Sequence, residues 1–345
     1  MKKHLLASLG ILTLALLPAL SARTQMGTVG THVLTLVEPG QDSRLISVPY
    51  LKVPVVRGRL DGIDLENLSL LDAQSAFAEL DPELYYLLLI GSGAENGSWF
   101  VVSGSADDAQ VVQVLEDGQA GELSKLAGNE IFSVHAFFTL DELFGAVGGV
   151  LTAGPSVNEA AFLDFYTGSG FERYWLSDGS RTGVQGWVQS FGDQHIPVGD
   201  NAILPGTSFY LSNPDAAERV DIRIQGVVVD GPVRIPVYRG YNFIAPVYAG
   251  SLIAEDGAYN LSLAHVGLKT SGFQASTVAG NGDRILVVDP DAGTVSDTIY
   301  LNASCGSFLS VAQSGLDCGD LPLEPGGGFI LMNVNGYYRW TVSGE

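Results

Sequence analysis

Beyond its first few residues the sequence carries four histidines, His32, His135, His195 and His265. They are spread so that no two have the spacing of metal ligands, and they read as isolated structural or surface side chains. No G-x-S-x-G nucleophile elbow, no H-E-x-x-H zinc helix and no phosphate-binding P-loop occurs. Gly91-Ser92-Gly93 and Gly168-Ser169-Gly170 read as turns. Carboxylates are plentiful enough to supply a glycosidase pair, but such a pair is defined by a separation of roughly 5–10 Å in space. A secreted hydrolase therefore remains one reading, with no residue assigned a catalytic role.

Asp289-Pro290-Asp291-Ala292-Gly293 resembles part of a calcium loop, yet calcium takes six or more oxygens and the fuller D-x-D-x-D-G pattern is missing. An acidic hairpin turn is the better reading, as it is for Asp317 and Asp320 beside Cys318. No cofactor or metal ligand is assigned, with calcium the one ion the acidic loops leave open. Trp99, Trp175, Trp187 and Trp340, together with 13 tyrosines, would make sugar-stacking platforms if exposed. In β-sandwiches such residues more often fill the core or pair across strands. Cys305 and Cys318 are the only cysteines. In an oxidising compartment they are expected to form a disulfide closing a loop of about 14 residues, with about 3 kcal/mol of stabilisation.

Around these groups the composition describes the frame. The chain has 345 residues, 46% hydrophobic and only 16% charged, enough apolar content for a sizeable core. Its 43 glycines follow no three-residue period and are scattered among Val, Leu, Ile, Phe and Tyr, a pattern of short strands joined by tight turns. A net charge of −21 argues against nucleic acid and anionic membrane surfaces as partners. The start, MKKH, is basic. Leu5 to Leu20 is apolar, and Ala19-Leu20-Ser21-Ala22 is a small-residue site. These are the three regions of a secretory signal peptide over residues 1–22. No second run is long enough to span a bilayer. The expected location is therefore outside the inner membrane: periplasm, outer surface or medium.

Along the chain, THVLTLV (31–37) alternates as a strand and residues 38–42 turn. RLISVPYLKVPVVRGRL continues strand-like, with Pro49 and Pro54 favouring an edge or a bend. GIDLENLSLLDA reads as one short strand, YYLLLIGSG as a buried one, and WFVVSGSADDAQVVQVLE as a hairpin. The best helix candidate is Thr139 to Ala146, with Thr139 and Glu142 spaced as a capping box.

The second half repeats itself. ILPGTSFYLSN (203–213) aligns with LEPGGGFILMN (323–333), placing Gly206 on Gly326, Phe209 on Phe329, Leu211 on Leu331 and Asn213 on Asn333. FLDFYTGSGFERYWL (162–176) matches ILVVDPDAGTVSDTIYL (285–301), Trp187-Val188 matches Phe308-Leu309, and DIRIQG (221–226) matches RWTVSG (339–344). A unit of about 60 to 65 residues copied once is implied. Pro presets a type II turn and Gly supplies its positive φ, while Phe and Leu two apart share one strand face. Between the copies, FIAPVY echoes LISVPY at 45–50, as if each block opened on a proline-bent strand.

These stretches, with FSVHAFFTLDELFGA and the opening THVLTLVEPGQDSRLISVPYLKVPVVRG, resemble an exported, repeat-containing β-rich family abundant in Verrucomicrobia. Its members carry duplicated hydrophobic β units with a Pro-Gly turn before a Phe-rich strand, and it has no assigned activity, so the resemblance transfers no functional residue. The second copy departs by adding Cys305 and Cys318, where the first has Ser177 to Gly183 and no cysteine.

The sequence therefore predicts an all-β protein of sandwich- or barrel-like modules with an internal duplication and at most one or two short helices. Its expected segments are a signal peptide (1–22), an N-terminal β-rich block (27–150), a first repeat unit (151–230) and a second with its opening strand (231–345). The expected function is non-enzymatic: a structural, adhesive or surface component of the envelope or extracellular matrix, with polysaccharide or other envelope components as partners. A carbohydrate-binding module, with or without calcium, is the alternative, and a secreted hydrolase the second.

Overall fold

The computed structural model describes residues 29–37, 43–105, 107–116, 122–145, 149–214, 220–229, 231–247, 262–289, 294–323 and 326–342. The signal peptide, the turn at 38–42, Pro325 and residues 290–293 of the acidic hairpin lie outside them. The described chain is all-β, built of antiparallel sheets with a single α-helix, and none of these sheets closes into a barrel.

Two strands come first, β1 (Val29–Val37) and β2 (Arg44–Ser47). Seven then form a sheet of their own: β3 (Pro54–Arg59), β4 (Gly62–Asp64), β5 (Ser69–Leu71), β6 (Tyr85–Ile90), β7 (Trp99–Gly104), β8 (Val111–Glu116) and β9 (Ile131–Ala136). Their order is β3-β9-β6-β7-β8-β5-β4. Pro54 begins an edge strand, where a missing N–H costs no ladder bond. GIDLENLSLLDA is a hairpin, β4–β5, and not one strand. The Asp64 carboxylate accepts from the backbone N–H of Glu66 and Asn67, both at 3.0 Å, and so closes a turn inside what reads as an alternating run. From Tyr86 onward β6 is buried because both its faces are covered. Leu88 and Ile90 enter the sheet's own core with Phe100 and Phe132, while Leu87 and Leu89 pack with Trp99, Leu51, Phe137, Val233 and Val247 on the other side.

β10 (Phe138–Thr139) leads into α1 (Leu140–Phe144), which starts where the capping box is read. Thr139 Oγ1 accepts from Glu142 N, and the Glu142 carboxylate accepts from Thr139 N. The helix is only five residues long, and it buries Leu140 and Phe144. Next come β11 (Phe162–Tyr166), β12 (Phe171–Asp178), β13 (Gln185–Phe191), β14 (Gln194–Pro197), β15 (Ala202–Ile203), β16 (Ser208–Ser212) and β17 (Val220–Val227). The first large sheet runs β14-β13-β12-β11-β16-β2, with β1 on β17 and β10 on β15 beside it. The last seven strands are β18 (Val233–Val237), β19 (Gly240–Ile244), β20 (Arg284–Val288), β21 (Val295–Leu301), β22 (Phe308–Ser310), β23 (Phe329–Asn333) and β24 (Tyr338–Val342). Here the order is β19-β23-β20-β21-β22, with β18 on β24.

These two sheets correspond strand by strand. β13-β12-β11-β16-β2 has the order of β22-β21-β20-β23-β19. The register agrees as well: Leu163 lies opposite Leu211 as Ile285 lies opposite Leu331, and Ile46 opposite Phe209 as Ile244 opposite Phe329. The weak echo between LISVPY and FIAPVY thus marks two strands in equivalent places. Gly206 and Gly326 both take positive φ, 74° and 72°. Phe209, Leu211 and Leu331 are fully buried and Phe329 is 6% exposed, all in one core that both sheets share. The sheets also clasp each other reciprocally. Ser47 N donates to Gly326 O at 2.7 Å, and Ala245 N, at the corresponding place, donates to Gly206 O at 2.9 Å.

Between the seven-stranded sheet and the β18–β24 pair lies a charged tie. Arg234 N donates to Gly97 O at 2.8 Å, and the Glu95 carboxylate, 2% exposed, accepts from the guanidinium groups of Arg234 and Arg339 and from Ser98 Oγ. Burial pushes the Glu95 carboxyl up, but its hydrogen bonds from Arg339 and Ser98 and the charges of both arginines outweigh this and hold it below its ordinary value.

A candidate binding groove on the first sheet

Alternation decides what the first large sheet shows to solvent. On β11, Leu163 points into the core, so Phe162, Asp164 and Tyr166 share the outer face. Opposite Asp164 and Tyr166 stand Arg173 and Phe171 of β12, and on the other flank Ser212 and Tyr210 of β16 stand opposite Phe162 and Asp164. Phe243 of β19 reaches over this face from the second sheet, and its ring centroid lies 4.9 Å from that of Tyr166, 5.3 Å from Phe171 and 5.9 Å from Tyr210. Phe171 is 51% exposed. The result is an open groove of about 510 Å³ lined by Phe162, Phe171, Tyr210 and Phe243, with Asp164 and Arg173 between the rings.

The charged pair is fixed from two sides. Arg173 Nε and Nη2 donate to the two Asp164 oxygens, both at 2.7 Å, in a bidentate fork. The same guanidinium lies 3.9 Å from the centroid of the Phe162 ring. The Asp164 hydrogen bond holds Arg173 above its ordinary value, against the opposing effect of burial. Burial pushes the Tyr210 hydroxyl up, so it stays protonated and able to donate.

The four tryptophans are not part of this surface. Trp99, Trp175, Trp187 and Trp340 are all buried, and each indole N–H has a partner: Arg234 O, Ser190 Oγ, Gly145 O and Val266 O. They fill the interior, as the favoured reading of aromatic residues in a β-sandwich has it. The exposed rings are Phe and Tyr at alternate strand positions, which the sequence hides because core strands also alternate aromatics.

Cys305 and Cys318 are free thiols, so the expected disulfide is not formed in the structure. Cys305 lies exposed in the turn after β21, and Cys318 Sγ donates to Leu316 O at 3.5 Å. Burial pushes the Cys318 thiol up, and the Asp297 charge adds to that. Asp317 takes the hydrogen bond of Gly319 N at 2.9 Å, a turn role. His32 lies in β1.

The other three histidines each meet a serine, which the sequence reading missed. His195 Nδ1 is 2.9 Å from Ser190 Oγ, and His265 Nδ1 is 2.6 Å from Ser262 Oγ. His135 Nε2 is 2.8 Å from Ser133 Oγ, while its Nδ1 donates to Lys52 O at 2.6 Å. The last arrangement has the outline of a nucleophile and its oriented base. Two quantities count against that use. Burial drives His135 down to about 4, too weak a base for neutral pH. The cavity beside it is about 10 Å³, room for one water, whereas ligand sites take roughly 300–1,000 Å³. Ser-x-His on one strand, with both side chains on one face, was the available signal. Among the described residues no group of three or more His, Cys, Asp or Glu side chains is placed to hold a metal ion.

No protein-family model, curated protein or solved structure matches this chain. The groove therefore has to be read from its own chemistry. Its rings offer apolar surface, and its ion pair offers donors and acceptors held in place.

Proposed function

We propose that this chain is an exported, non-enzymatic β-rich protein, a structural or adhesive component of the cell envelope or extracellular matrix, and that the groove over Asp164 and Arg173 is its adhesion face. One observation carries the reading. The two corresponding sheets agree in their turns and core, and the outer face of the first carries an Asp164–Arg173 fork among aromatic rings where the second has Leu286 and Thr298. A duplicated scaffold with one copy specialised for contact accounts for this. The basic start, the apolar run to Leu20 and the small-residue site at 19–22 support export, as does the resemblance to exported repeat proteins of Verrucomicrobia.

The test is fractionation of the cells that make the protein, followed by protease treatment of intact cells and an attachment assay on a strain lacking it. The expected result is protein outside the inner membrane, accessible to protease, with attachment or envelope integrity impaired in its absence. Protein confined to the cytoplasm, or turnover of a polysaccharide by the purified chain, overturns the proposal.

A further inference from the structure

We propose that the groove on the first sheet binds a neutral polysaccharide, a pyranose ring stacking on Phe171 beside Tyr210 and Phe243 with its hydroxyls on the Asp164–Arg173 pair. This rests on the reading of the protein as an exported contact protein and names the ligand of that surface.

Three features select the ligand class. The exposed Phe171 ring, held edge-to-face against the half-buried Phe243, presents an apolar surface that complements the C–H face of a pyranose. Hydroxyls radiating from such a ring need both donors and acceptors, and the pair supplies both. Two of the five Arg173 N–H donors go to Asp164, while the carboxylate keeps lone pairs beyond the two it uses. Because the fork is already formed and Arg173 already rests on Phe162, little side-chain ordering remains to be done on binding.

Charge narrows the class further. The ion pair sums to neutral, and the chain carries −21, so an anionic polymer is repelled. A cation meets Arg173 and finds both oxygens of Asp164 engaged. A purely apolar chain would desolvate the ion pair with nothing in return. A neutral polyol satisfies all three conditions. The groove is open and formed on a sheet face, which suits the middle of a polymer more than an enclosed small molecule.

The corresponding face of the second sheet serves as an internal control. In its register, Leu286 replaces Asp164, Thr298 replaces Arg173, Ile330 replaces Tyr210, and Val295, next to Ser296, replaces Phe171. It lacks the ion pair, and its outer rings, Tyr241 and Tyr300, stand in the neighbouring row with Arg284.

The test is titration calorimetry of the full chain lacking only residues 1–22 against hexasaccharides of glucose, xylose, mannose and N-acetylglucosamine, with oligogalacturonate as the anionic probe and pull-down on cellulose and chitin. Saturable binding of at least one neutral saccharide is expected. Phe171→Ala and Arg173→Ala should each weaken it by about tenfold or more, with the melting temperature unchanged. Ser296→Ala and Thr298→Ala should leave it intact. Absence of binding to every neutral probe, preference for oligogalacturonate, self-association through the groove in place of saccharide binding, or a Phe171→Ala protein that binds like the parent would each overturn the inference. A surface-exposed protein that mediates attachment without binding saccharide would sink this inference alone. A cytoplasmic protein that binds saccharide would sink the export reading alone.

Discussion

Strand for strand, β11, β12 and β16 of the first large sheet correspond to β20, β21 and β23 of the second. Facing inward, Leu163 and Ile285, Phe209 and Phe329, and Leu211 and Leu331 occupy matched places in a shared core. Facing outward, the pair Asp164–Arg173 stands where the second sheet has Leu286–Thr298, and Phe171 where it has Val295. Inward positions are held by close packing, where a change of one methylene is felt. Outward positions answer to no such constraint and are free to acquire a ligand. The seven-stranded sheet adds a second asymmetry, since it follows β2 but has no described counterpart after β19.

The comparison breaks first at the core if it is wrong. Phe209→Ala and Phe329→Ala should each cost about 3–5 kcal/mol, and by similar amounts in urea unfolding. A cost for one less than half that of the other would mean that the two sheets do not share the core evenly. The next effect belongs to the seven-stranded sheet alone. His135 is held at about 4 in the folded chain by burial, below its ordinary 6.5. The unfolded chain therefore takes up the proton first. Stability is full above pH 6.5 and falls as pH drops towards 4, by about 3 kcal/mol in total. A His135→Gln variant should lose most of that slope in urea titrations between pH 7 and 4, and an unaltered slope would place the acid sensitivity elsewhere.

Smaller effects sharpen the match. Gly206→Ala and Gly326→Ala should each cost about 1–2 kcal/mol, because both glycines hold positive φ. At Gly206 the added methyl would also come within 2.7 Å of Ile235. Negligible shifts in thermal midpoint would undo the turn assignment. Thr139→Ala should cost about 1 kcal/mol by removing half of the capping box. Smallest of all, Phe171→Ala and Ser296→Ala should both stay within about 0.5 kcal/mol of the parent in stability, which separates surface chemistry from scaffold.

Much of the scaffold was legible in the residues themselves. The capping box, the Pro54 edge, the buried β6 and the repeated Gly-x-x-Phe-x-Leu each rest on a local rule, and each stands where that rule places it. The groove was not legible. Phe162 and Phe165 are both aromatic, and only the pairing of β11 with its neighbours puts one outside and the other against Phe209. Nor does any spacing bring Phe243 over Tyr166, because that contact depends on how the two sheets clasp. The disulfide failed for a related reason. The expected oxidising compartment was the argument for it, and a compartment says nothing of whether two cysteines meet the geometry that bridging requires. Even the matched asparagines diverge in use: Asn213 Oδ1 accepts from Thr152 N, whereas Asn333 Nδ2 donates to Gly336 O.

The reciprocal clasp also sets a timetable. Ser47, near the start of the described chain, donates to the carbonyls of Gly326 and Gly327, the latter 280 residues further along. Loop closure over that span must precede the last of the shared packing. A ribosome has therefore made nearly the entire protein before β2 can find both of its neighbours. Until then the apolar faces of the first large sheet wait for partners not yet synthesised, so this part of the chain commits to its final form late, while the seven-stranded sheet has a core of its own.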